Sequence, residues 1–583
     1  MSFREKNILM RAVPLYFLFS LIGISRVSFA QVTQVFLERS QEDILSQEEQ
    51  RRRDYILDLQ HQSPSKKVTS AIKEELEKDS SGESKFLHFK AIKLEGSTVF
   101  SAMRLRRMTD PYLHKAISLE DIDRLIRVIT NLYIEAGYTT SRVYLPEQSL
   151  SSGILCLKIL ESKRGVLEIL EEGQKREKFN TVFPSKKGSI FNLRDYEQGL
   201  DQINRLKSYN ATIDLKPGEA EGETAVSVLT EVKKPSKTSL RVETNNGGSR
   251  ATGMQQQIFN VSVDDFFDLY DSVGLTVRHD LGLNHSGKKN RGVSGNITVP
   301  YRYWNFRLVG DYYEYLQTIR RGPQSFKLTG QNHSYMGEIE RIIHRDHVSK
   351  TGVGVSITQK TAKNFVNGTR ILTNSRKLTV GSGRVFHTRR LWGGALSASS
   401  QFDQGLKLLG AQKDKASPPG SPKAQFKKVQ AYASYYKPFT IKDQQFSWQI
   451  SGNGMWSKDL LFSSEKQSIG GQHTVRGYWD QSLSGNVGGY IRNELAWQLP
   501  PISGAPINYL VENSELYVGF DAGWIKGNAS SKDDSGHLRG MGAGLRTRAE
   551  HFFAEIGFEK AFSKPDTFSK PEQRVFLKLG FEF

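Results

Sequence analysis

The chain has 583 residues, with 81 Lys and Arg against 62 Asp and Glu, and a formal net charge of +19. This length permits several domains, and the basic residues are spread out instead of forming one compact module, which argues against nucleic acid as a partner. Cys156 is the only cysteine, so the fold contains no internal disulfide.

The first 30 residues have the pattern of a signal peptide. Three basic residues precede an apolar stretch at 12–25, and Ser28-Phe29-Ala30 follows as a small-x-small cleavage site. The alternative is an N-terminal membrane anchor, but the stretch is shorter than the ~20 residues that a spanning helix needs. After residue 30 no window approaches 18 apolar residues. The remaining classes are a secreted soluble protein and a closed β-barrel.

Two polar segments follow the cleavage site. Residues 31–62 carry a thin apolar stripe in a very polar sequence, which indicates either a tethered, displaceable helix or a disordered segment. Residues 63–85 are rich in Ser, Lys and Glu and predict a flexible linker.

Residues 86–161 predict a small α+β module with the order strand, helix, strand, strand. Ser118 with Asp121 three residues later is the signature of a helix N-terminus, and Gly137 marks the end of that helix. Between them apolar residues recur at spacings of 3 and 4, so one helix face is buried.

Residues 162–235 repeat this organisation. Asn192 is placed to cap a helix whose apolar residues, from Leu193 to Leu206, lie on one face, and predicted strands flank the helix on both sides. The sequence therefore predicts two α+β modules in tandem.

From residue 236 to residue 583 the apolar period changes to 2. Leu516, Val518 and Phe520 alternate with Tyr517 and Gly519, and the pattern recurs in the last segment. Charged residues on the second face are too frequent for the core of a β-sandwich. They suit a transmembrane barrel with a wet lumen, and the length accommodates about 16 antiparallel strands. A soluble all-β domain is the alternative.

A search for enzymatic motifs gives no candidate. The G-x-S-x-G, H-E-x-x-H and G-x-x-x-x-G-K-[ST] motifs are absent, and His344-Arg345-Asp346 resembles a kinase triplet without the rest of that site. We expect a protein that is not an enzyme, with no catalytic residue, cofactor or metal site.

The remaining constellation combines a loop and a strand. Arg476 lies in Val475-Arg476-Gly477-Tyr478, inside a Gly- and Ser-rich loop at 463–489. The strand register turns Asp521 into the lumen, with Gly519 and Gly523 on the same face. The missing side chains leave a hollow that the Arg476 guanidinium can enter to form a bidentate salt bridge. The alternative is an exposed loop arginine and an unrelated lumen carboxylate.

Four motifs in order carry a resemblance to a known family, over residues 86–583. They are Gly137-Tyr138-Thr139-Thr140-Ser141-Arg142-Val143-Tyr144-Leu145-Pro146, the helix at 192–206, the loop Gly470–Tyr478 with Arg492-Asn493-Glu494-Leu495, and Gly519-Phe520-Asp521-Ala522-Gly523, to which the terminal Phe583 adds a barrel end signal. The chain resembles the POTRA-barrel superfamily of outer-membrane assembly and secretion proteins. It is most similar to the haemolysin secretion/activation (TpsB) family of two-partner secretion.

The resemblance implies a 16-stranded barrel in the Gram-negative outer membrane, two periplasmic POTRA domains and an N-terminal plug helix at 31–62. It implies export of one large β-helical partner protein without ATP. Outer-membrane lipid and lipopolysaccharide surround the barrel, and assembly machinery and periplasmic chaperones act during biogenesis. An insertase of the same superfamily is the alternative function.

The resemblance also assigns roles to residues. Arg476, within residues 475–478, is the loop side of a latch, and Asp521 with its flanking glycines is the wall side. Partner recognition by the POTRA domains is assigned to a set in the two POTRA motifs: Tyr138, Arg142, Tyr144, Leu145, Arg194 and Tyr196.

Overall fold

The computed structural model describes residues 86–583 apart from 150–151, 176–180, 221, 233–236, 251, 281–286, 322, 373–374, 415–419, 501–512, 528–534, 564, 567 and 569–570. Two small α+β modules precede a closed barrel in this part of the chain. The predicted signal peptide, plug helix and linker lie outside the described residues. No helix in the described part of the chain is long and apolar enough to cross a membrane.

Module 1 is built on a three-stranded sheet with the order β2-β5-β4. Strands β2 and β5 are parallel, and β4 pairs antiparallel with β5 at the edge. Its elements are β1 (Leu87–His88), β2 (Ala91–Glu95), α1 (Ala102–Thr109), a 3-10 turn (Asp110–Tyr112), β3 (Ala116–Ile117), α2 (Leu119–Glu135), β4 (Arg142–Tyr144) and β5 (Ile154–Leu160). Module 1 therefore contains the predicted order of strand, helix, strand and strand, and it has helix α1 and strand β3 in addition.

Helix α2 begins and ends where its sequence signals lie. The Ser118 hydroxyl accepts a hydrogen bond from the Asp121 backbone N–H, and the Asp121 carboxylate accepts one from the Ser118 N–H, which completes a capping box. Gly137 follows the helix with φ of +98°, a conformation that glycine adopts without strain. The apolar face packs on the sheet, with Leu125 and Ile129 fully buried.

Module 2 repeats this plan with a four-stranded sheet of order β7-β6-β9-β8. Its elements are β6 (Lys163–Glu171), β7 (Gln174–Lys175), α3 (Leu193–Asn204), β8 (Tyr209–Pro217) and β9 (Glu223–Val232). The Asn192 side chain caps α3 by accepting from the Arg194 N–H, as the sequence predicts. The Leu193 N–H donates to the Gly137 carbonyl at 2.8 Å, so the start of α3 is joined to the end of α2.

Sixteen strands of the described residues close into an antiparallel barrel, which confirms the predicted architecture. In chain order the sixteen wall strands are β10 (Thr238–Asn245), β11 (Gln256–Asp264), β12 (Ser272–Asp280), β13 (Lys288–Tyr301), β14 (Trp304–Arg321), β15 (Gln324–Arg345), β16 (Ser349–Val366), β18 (Arg376–Leu391), β19 (Gly394–Leu406), β20 (Lys427–Ile441), β21 (Gln444–Trp456), β24 (Val487–Gln498), β25 (Asn513–Lys526), β26 (Gly536–Arg548), β27 (Phe552–Ala561) and β28 (Gln573–Glu582). Three short strands are additional: β17 (Thr369–Arg370) pairs with β16, and β22 (Gln467–Ile469) and β23 (Leu483–Gly485) pair with each other.

The two faces of the barrel wall have opposite character. On β25, Leu516, Phe520 and Trp524 are 42%, 56% and 44% exposed and face outward, while Asp521 is 4% exposed and faces the lumen. This is the register that the sequence pattern predicts. An apolar outside and a charged inside are typical of a barrel in lipid. The wall closes where β10 pairs antiparallel with β28.

Module 2 contacts three turns at one end of the barrel. The Tyr209 hydroxyl donates to Asp265 in the β11–β12 turn at 2.9 Å. The N–H of Arg302, in the β13–β14 turn, donates to the Thr181 carbonyl at 2.8 Å. The third contact, at the β15–β16 turn, is ionic. We call this end of the barrel the module end.

The ionic contact places two acids of α3 against two cations of the barrel. Arg345 lies 2.6 Å from Asp201 and 3.4 Å from Glu197, and Lys350 lies 2.7 Å from Asp201. Burial works against the charged form of Asp201, but the attraction of Lys350 and Arg345 is stronger and lowers the pKa of the carboxyl from 3.8 to about 2. Asp201 is therefore ionised at physiological pH and ties module 2 to the barrel.

We expect Asp201→Asn to weaken the docking of module 2 by about 2 kcal/mol, the free energy that corresponds to the lowered pKa of its carboxyl. The docked carboxyl has the lower pKa, so its contribution is complete above pH 3.8 and is lost as the pH falls toward 2. Distances between spin labels on module 2 and on the barrel measure the docking. Asp214→Asn, an exposed acid paired with Lys216, is the matched control. A narrow, unchanged distance distribution in Asp201→Asn would contradict this role.

Candidate functional site

The segment between β21 and β24, residues 457–486, fills part of the lumen, and we call it the lumen loop. It leaves the barrel wall at the end opposite the module end, because β21 starts at the module-end turn at Lys442 and Asp443. The loop then folds inward, and its own strands β22 and β23 pair through Ile469 and Leu483. Most of its side chains are buried.

The tip of the lumen loop binds the wall through Arg476. Its Nε and Nη2 donate to the two carboxylate oxygens of Asp521 at 2.6 and 2.8 Å, and its backbone N–H donates to the same carboxylate at 3.0 Å. Arg476 is 2% exposed, and the Asp521 side chain is fully buried. We call this ion pair the latch. The structure thus brings together the arginine and the carboxylate that the sequence pairs.

The remaining donor of the guanidinium reaches a second acid that the sequence reasoning did not assign. Arg476 Nη1 donates to Glu494 at 2.7 Å, and Glu494 also accepts from Arg546 Nη1 at 2.6 Å. Arg492 lies 3.8 Å from Asp521. The latch is therefore one link in a network of alternating charges on β24, β25 and β26. The sequence could have indicated Glu494, because it lies two residues after Arg492 on the same strand and so shares its lumen-facing side.

Glycines on β25 and β26 form the hollow that receives the loop. A methyl group at Gly519 would overlap the Arg476 guanidinium, and one at Gly540 would overlap the Arg476 carbonyl oxygen. Gly542 faces the Arg476 side chain, and Gly523 faces Val475. The sequence identified Gly519 and Gly523 but not Gly540 and Gly542. Their alternation on the inward face of the next strand was the available signal.

The neighbours of Arg476 in the motif hold the tip by apolar packing and hydrogen bonds. Val475 is fully buried, and Tyr478 is 1% exposed. The Tyr478 hydroxyl lies 2.8 Å from the Ser563 carbonyl and accepts from the Arg539 N–H at 3.2 Å. Gly477 has φ of +92°, and any side chain there would overlap the Lys560 backbone. Each residue of the motif at 475–478 therefore contacts the wall.

A cavity of 560 Å³ remains in the lumen beside the tip. Charged residues of both signs line it, among them Arg241, Glu243, Glu494, Arg546 and Lys578. In the described part of the chain no group of three or more His, Cys, Asp or Glu side chains is placed to hold a metal ion. The lining is therefore polar and charged beside the tip of the lumen loop.

The residues predicted for partner recognition lie far from the lumen loop and fall into two groups. Tyr144 and Leu145, at the edge strand β4, are 40% and 39% exposed. Arg142 is exposed on the same strand, although its guanidinium donates to the Thr139 carbonyl at 2.7 Å. Tyr138 packs edge-on against Tyr133 in module 1. These four residues share one region of module 1.

Arg194 and Tyr196 have a different setting. Tyr196 is fully buried in the core of module 2, and Arg194, 8% exposed, donates to Glu197. Both residues lie in the first turn of α3, which packs against the core of module 2. In this conformation both side chains support module 2 from within and offer little surface to a partner.

Comparison with known proteins identifies three regions. The sequence profile of the haemolysin secretion/activation proteins ShlB, FhaC and HecB matches residues 222–547. The profile of the ShlB-type POTRA domain matches residues 87–162, and a second POTRA profile matches residues 166–217.

Individual relatives cover most of the chain. The outer membrane transporter CdiB of Dickeya dadantii is 30% identical over 514 residues, which are 87% of this chain and 89% of that protein. The hemolysin transporter protein ShlB of Serratia marcescens is 27% identical over 438 residues, 74% of this chain and 76% of that protein. The solved structure of CdiB from Escherichia coli superposes with a TM-score of 0.83 at 26% identity, over 94% of this chain and 98% of that one.

Proposed function

As a member of the haemolysin secretion/activation protein family, the chain is an outer-membrane transporter, and we propose that it exports one large, β-helical partner protein without ATP. The named relatives are transporters, and the chain is not an enzyme. In this family the POTRA domains are periplasmic, so the module end of the barrel faces the periplasm and the lumen loop enters from the cell surface.

The position of the lumen loop is the observation that carries the proposal. Its tip occupies the lumen and is held by a buried bidentate ion pair between Arg476 and Asp521. An exported chain must displace this tip. Separating the two charges of a buried ion pair costs about 3–5 kcal/mol. The exported protein must therefore bind the open state of the transporter more tightly than the closed state by a similar free energy.

In this proposal the free energy for transport comes from folding of the exported partner at the cell surface. The partner reaches the periplasm unfolded, threads through the opened lumen and folds at the cell surface. A folded domain is about 5–15 kcal/mol more stable than its unfolded chain, so folding outside makes the return unfavourable. Lipid and lipopolysaccharide surround the barrel, and assembly machinery and periplasmic chaperones deliver it.

Recognition of the partner is assigned to the free edge of module 1. Strand β4 lies at the edge of its sheet, beside the exposed Tyr144 and Leu145. An extended segment can add to such an edge through main-chain hydrogen bonds, while alternate side chains supply specificity. Tyr138 and Arg142 flank this edge. Arg194 and Tyr196, which the resemblance also assigns to recognition, act here by holding module 2 in shape.

The test of export needs a candidate partner, a large repeat protein that would be sought among the products of the genes beside this one. The partner should accumulate outside cells that contain the chain and in the periplasm of cells that lack it. Unchanged levels of other outer-membrane proteins separate export from an insertase function. If the partner reaches the medium equally well without the chain, the proposed function is wrong.

We expect the double variant Tyr144→Asp, Leu145→Asp to lower export about tenfold, since charges at the edge oppose strand addition. Pull-down of the partner's N-terminal region by the full chain measures recognition directly. Met103→Asp is the matched control, because Met103 is 69% exposed in the same module but lies on α1. Equal pull-down by the edge variant and the control would exclude β4 as the docking edge.

A further inference from the structure

The lumen loop has a second buried ionic contact at its base. Glu465, at the end of the 3-10 turn Ser463–Glu465, has a fully buried side chain. Its carboxylate accepts from Lys360 Nζ at 2.9 Å and from Lys428 Nζ at 3.0 Å, and Lys428 also donates to the Glu465 carbonyl at 3.2 Å. We call Glu465, Lys360 and Lys428 the base cluster.

The charges of the base cluster are balanced by one further acid. Asp403 lies 3.8 Å from Lys428 and is 2% exposed. Lys360 and Lys428 therefore face Glu465 and Asp403, and the Arg376 guanidinium adds a third positive charge beside Glu465. The Lys428, Glu465 and Asp403 side chains are at most 7% exposed, whereas Lys360 is 30% exposed. A buried group of charges persists only when each has a partner, so removing one member of this set is strongly unfavourable.

Aromatic and apolar contacts surround the base cluster. The Arg376 guanidinium donates to the Ser463 hydroxyl at 3.2 Å and lies 5.3 Å from the centre of the Phe462 ring. Beneath the base, Leu461 and Phe426 belong to one buried apolar cluster. The base of the loop is thus held independently of its tip.

The base cluster and the latch lie on different parts of the wall. Lys360 is on β16 and Lys428 on β20, whereas Asp521 is on β25. In the strand order, β16 and β25 are separated by β18, β19, β20, β21 and β24, roughly a third of the way around the barrel. A loop held at two such places cannot leave the lumen when only one contact opens.

We propose that Glu465 is a positioning residue that keeps the base of the lumen loop on the wall while the tip moves. The loop then pivots about residues 463–465 when the latch opens, and it returns to the same place when the partner has passed. This inference rests on the proposed export function only in naming the exported protein as what passes the loop. The attachment of the loop at two places is a property of the transporter without any exported protein.

Glu465→Gln with Lys360→Met releases the base and removes one charge of each sign. Lys428 keeps Asp403 at 3.8 Å, and Arg376 keeps its hydrogen bond to the Ser463 hydroxyl. The full chain is reconstituted in planar bilayers, and K⁺ conductance is recorded. We expect Arg476→Ala to open the channel partly and the base variant alone to leave it closed. The two changes combined should increase the open conductance about threefold or more over Arg476→Ala, because the loop then leaves the lumen as a unit. Equal conductance in Arg476→Ala and in the combined variant would overturn the proposal.

Spin labels locate the motion and need no partner protein. In a Cys156→Ser background, a label at Lys466 reports the base and a label at Gln472 reports the tip. The base variant should mobilise only the label at 466, and Arg476→Ala only the label at 472. Heat-modifiable migration of the barrel confirms folding. If neither label responds to the base variant in a folded barrel, Glu465 has no positioning role, whatever the outcome of the export experiment.

Discussion

Arg476→Ala is expected to lower export of the partner about a hundredfold or more while the barrel still assembles, because a tip without its latch does not return to one defined seat on the wall. The substitution removes the bidentate contact and leaves Asp521, whose side chain is fully buried, with the backbone N–H of residue 476 at 3.0 Å and Arg492 at 3.8 Å. Removing the main ionic partner of a buried charge costs about 3–5 kcal/mol, enough to displace the tip from its seat. The strand pairs of the wall do not involve Arg476, so the barrel itself should remain.

Secretion of the partner, barrel folding by heat-modifiable migration and K⁺ conductance are measured together. Arg476→Lys should recover only part of the activity, because an ammonium cannot make the two-pronged contact of a guanidinium. The exchange Arg476→Asp with Asp521→Arg should not restore export, because it places the new carboxylate beside Glu494 and the new guanidinium beside Arg492. Normal export by Arg476→Ala in a folded barrel would remove the latch from the mechanism.

Gly540→Ala is expected to open the channel without removing any charge. The added methyl group would overlap the Arg476 carbonyl oxygen, so the tip must withdraw from β26. Overpacking of this kind costs about 1–3 kcal/mol, which shifts a closed loop toward its displaced state by about tenfold or more. We expect more frequent K⁺ channel openings and a several-fold loss of export.

The control for this substitution is Gly383→Ala on β18. A methyl group at Gly383 meets no atom within 4 Å, so the same change of residue type in a barrel strand should have no effect on conductance. Gly523→Ala should be intermediate, because its nearest contacts are side-chain methyl groups of Val475 and Ile469 at 3.0 and 3.1 Å, which need to give by only a few tenths of an ångström. Wild-type conductance in Gly540→Ala would show that the tip does not need a close seat on β26.

The elements that the sequence predicted well are those set by local chemistry. Helices α2 and α3 begin at Ser118 and Asn192, where side chains satisfy the first backbone N–H groups, and such caps act within three residues. The register of β25 follows from strict alternation. Because one residue of slippage would turn every side chain to the other face, the alternation places Asp521 in the lumen.

Helix α1 was missed because it has only eight residues, of which three, Met103, Leu105 and Met108, are large and apolar. In Ala-Met-Arg-Leu-Arg-Arg-Met-Thr only Leu105 and Thr109 are buried, and Met103 is largely exposed. Its helical state depends on the Ser101 cap and on packing against α2, neither of which a period count detects. Tertiary contact therefore decided this element.

The base cluster depends on contacts between residues that are distant in sequence. Glu465 meets Lys360 and Lys428, which are 105 and 37 residues earlier. Nothing in Ser463-Ser464-Glu465 distinguishes a buried carboxylate from an exposed one. The pairing requires the strand order of the barrel and the inward fold of the loop, and both follow only from the assembled structure.

The contact between α3 and the barrel has a consequence for the conditions in which the transporter operates. Arg345 and Asp201 are only 10% and 16% exposed. Dissolved ions weaken exposed charge pairs over a Debye length of about 8 Å at 0.15 M, but they reach a buried pair poorly. The angle between module 2 and the barrel should therefore stay constant from dilute to saline surroundings, so that changes in ionic strength do not misalign the entrance of the pore.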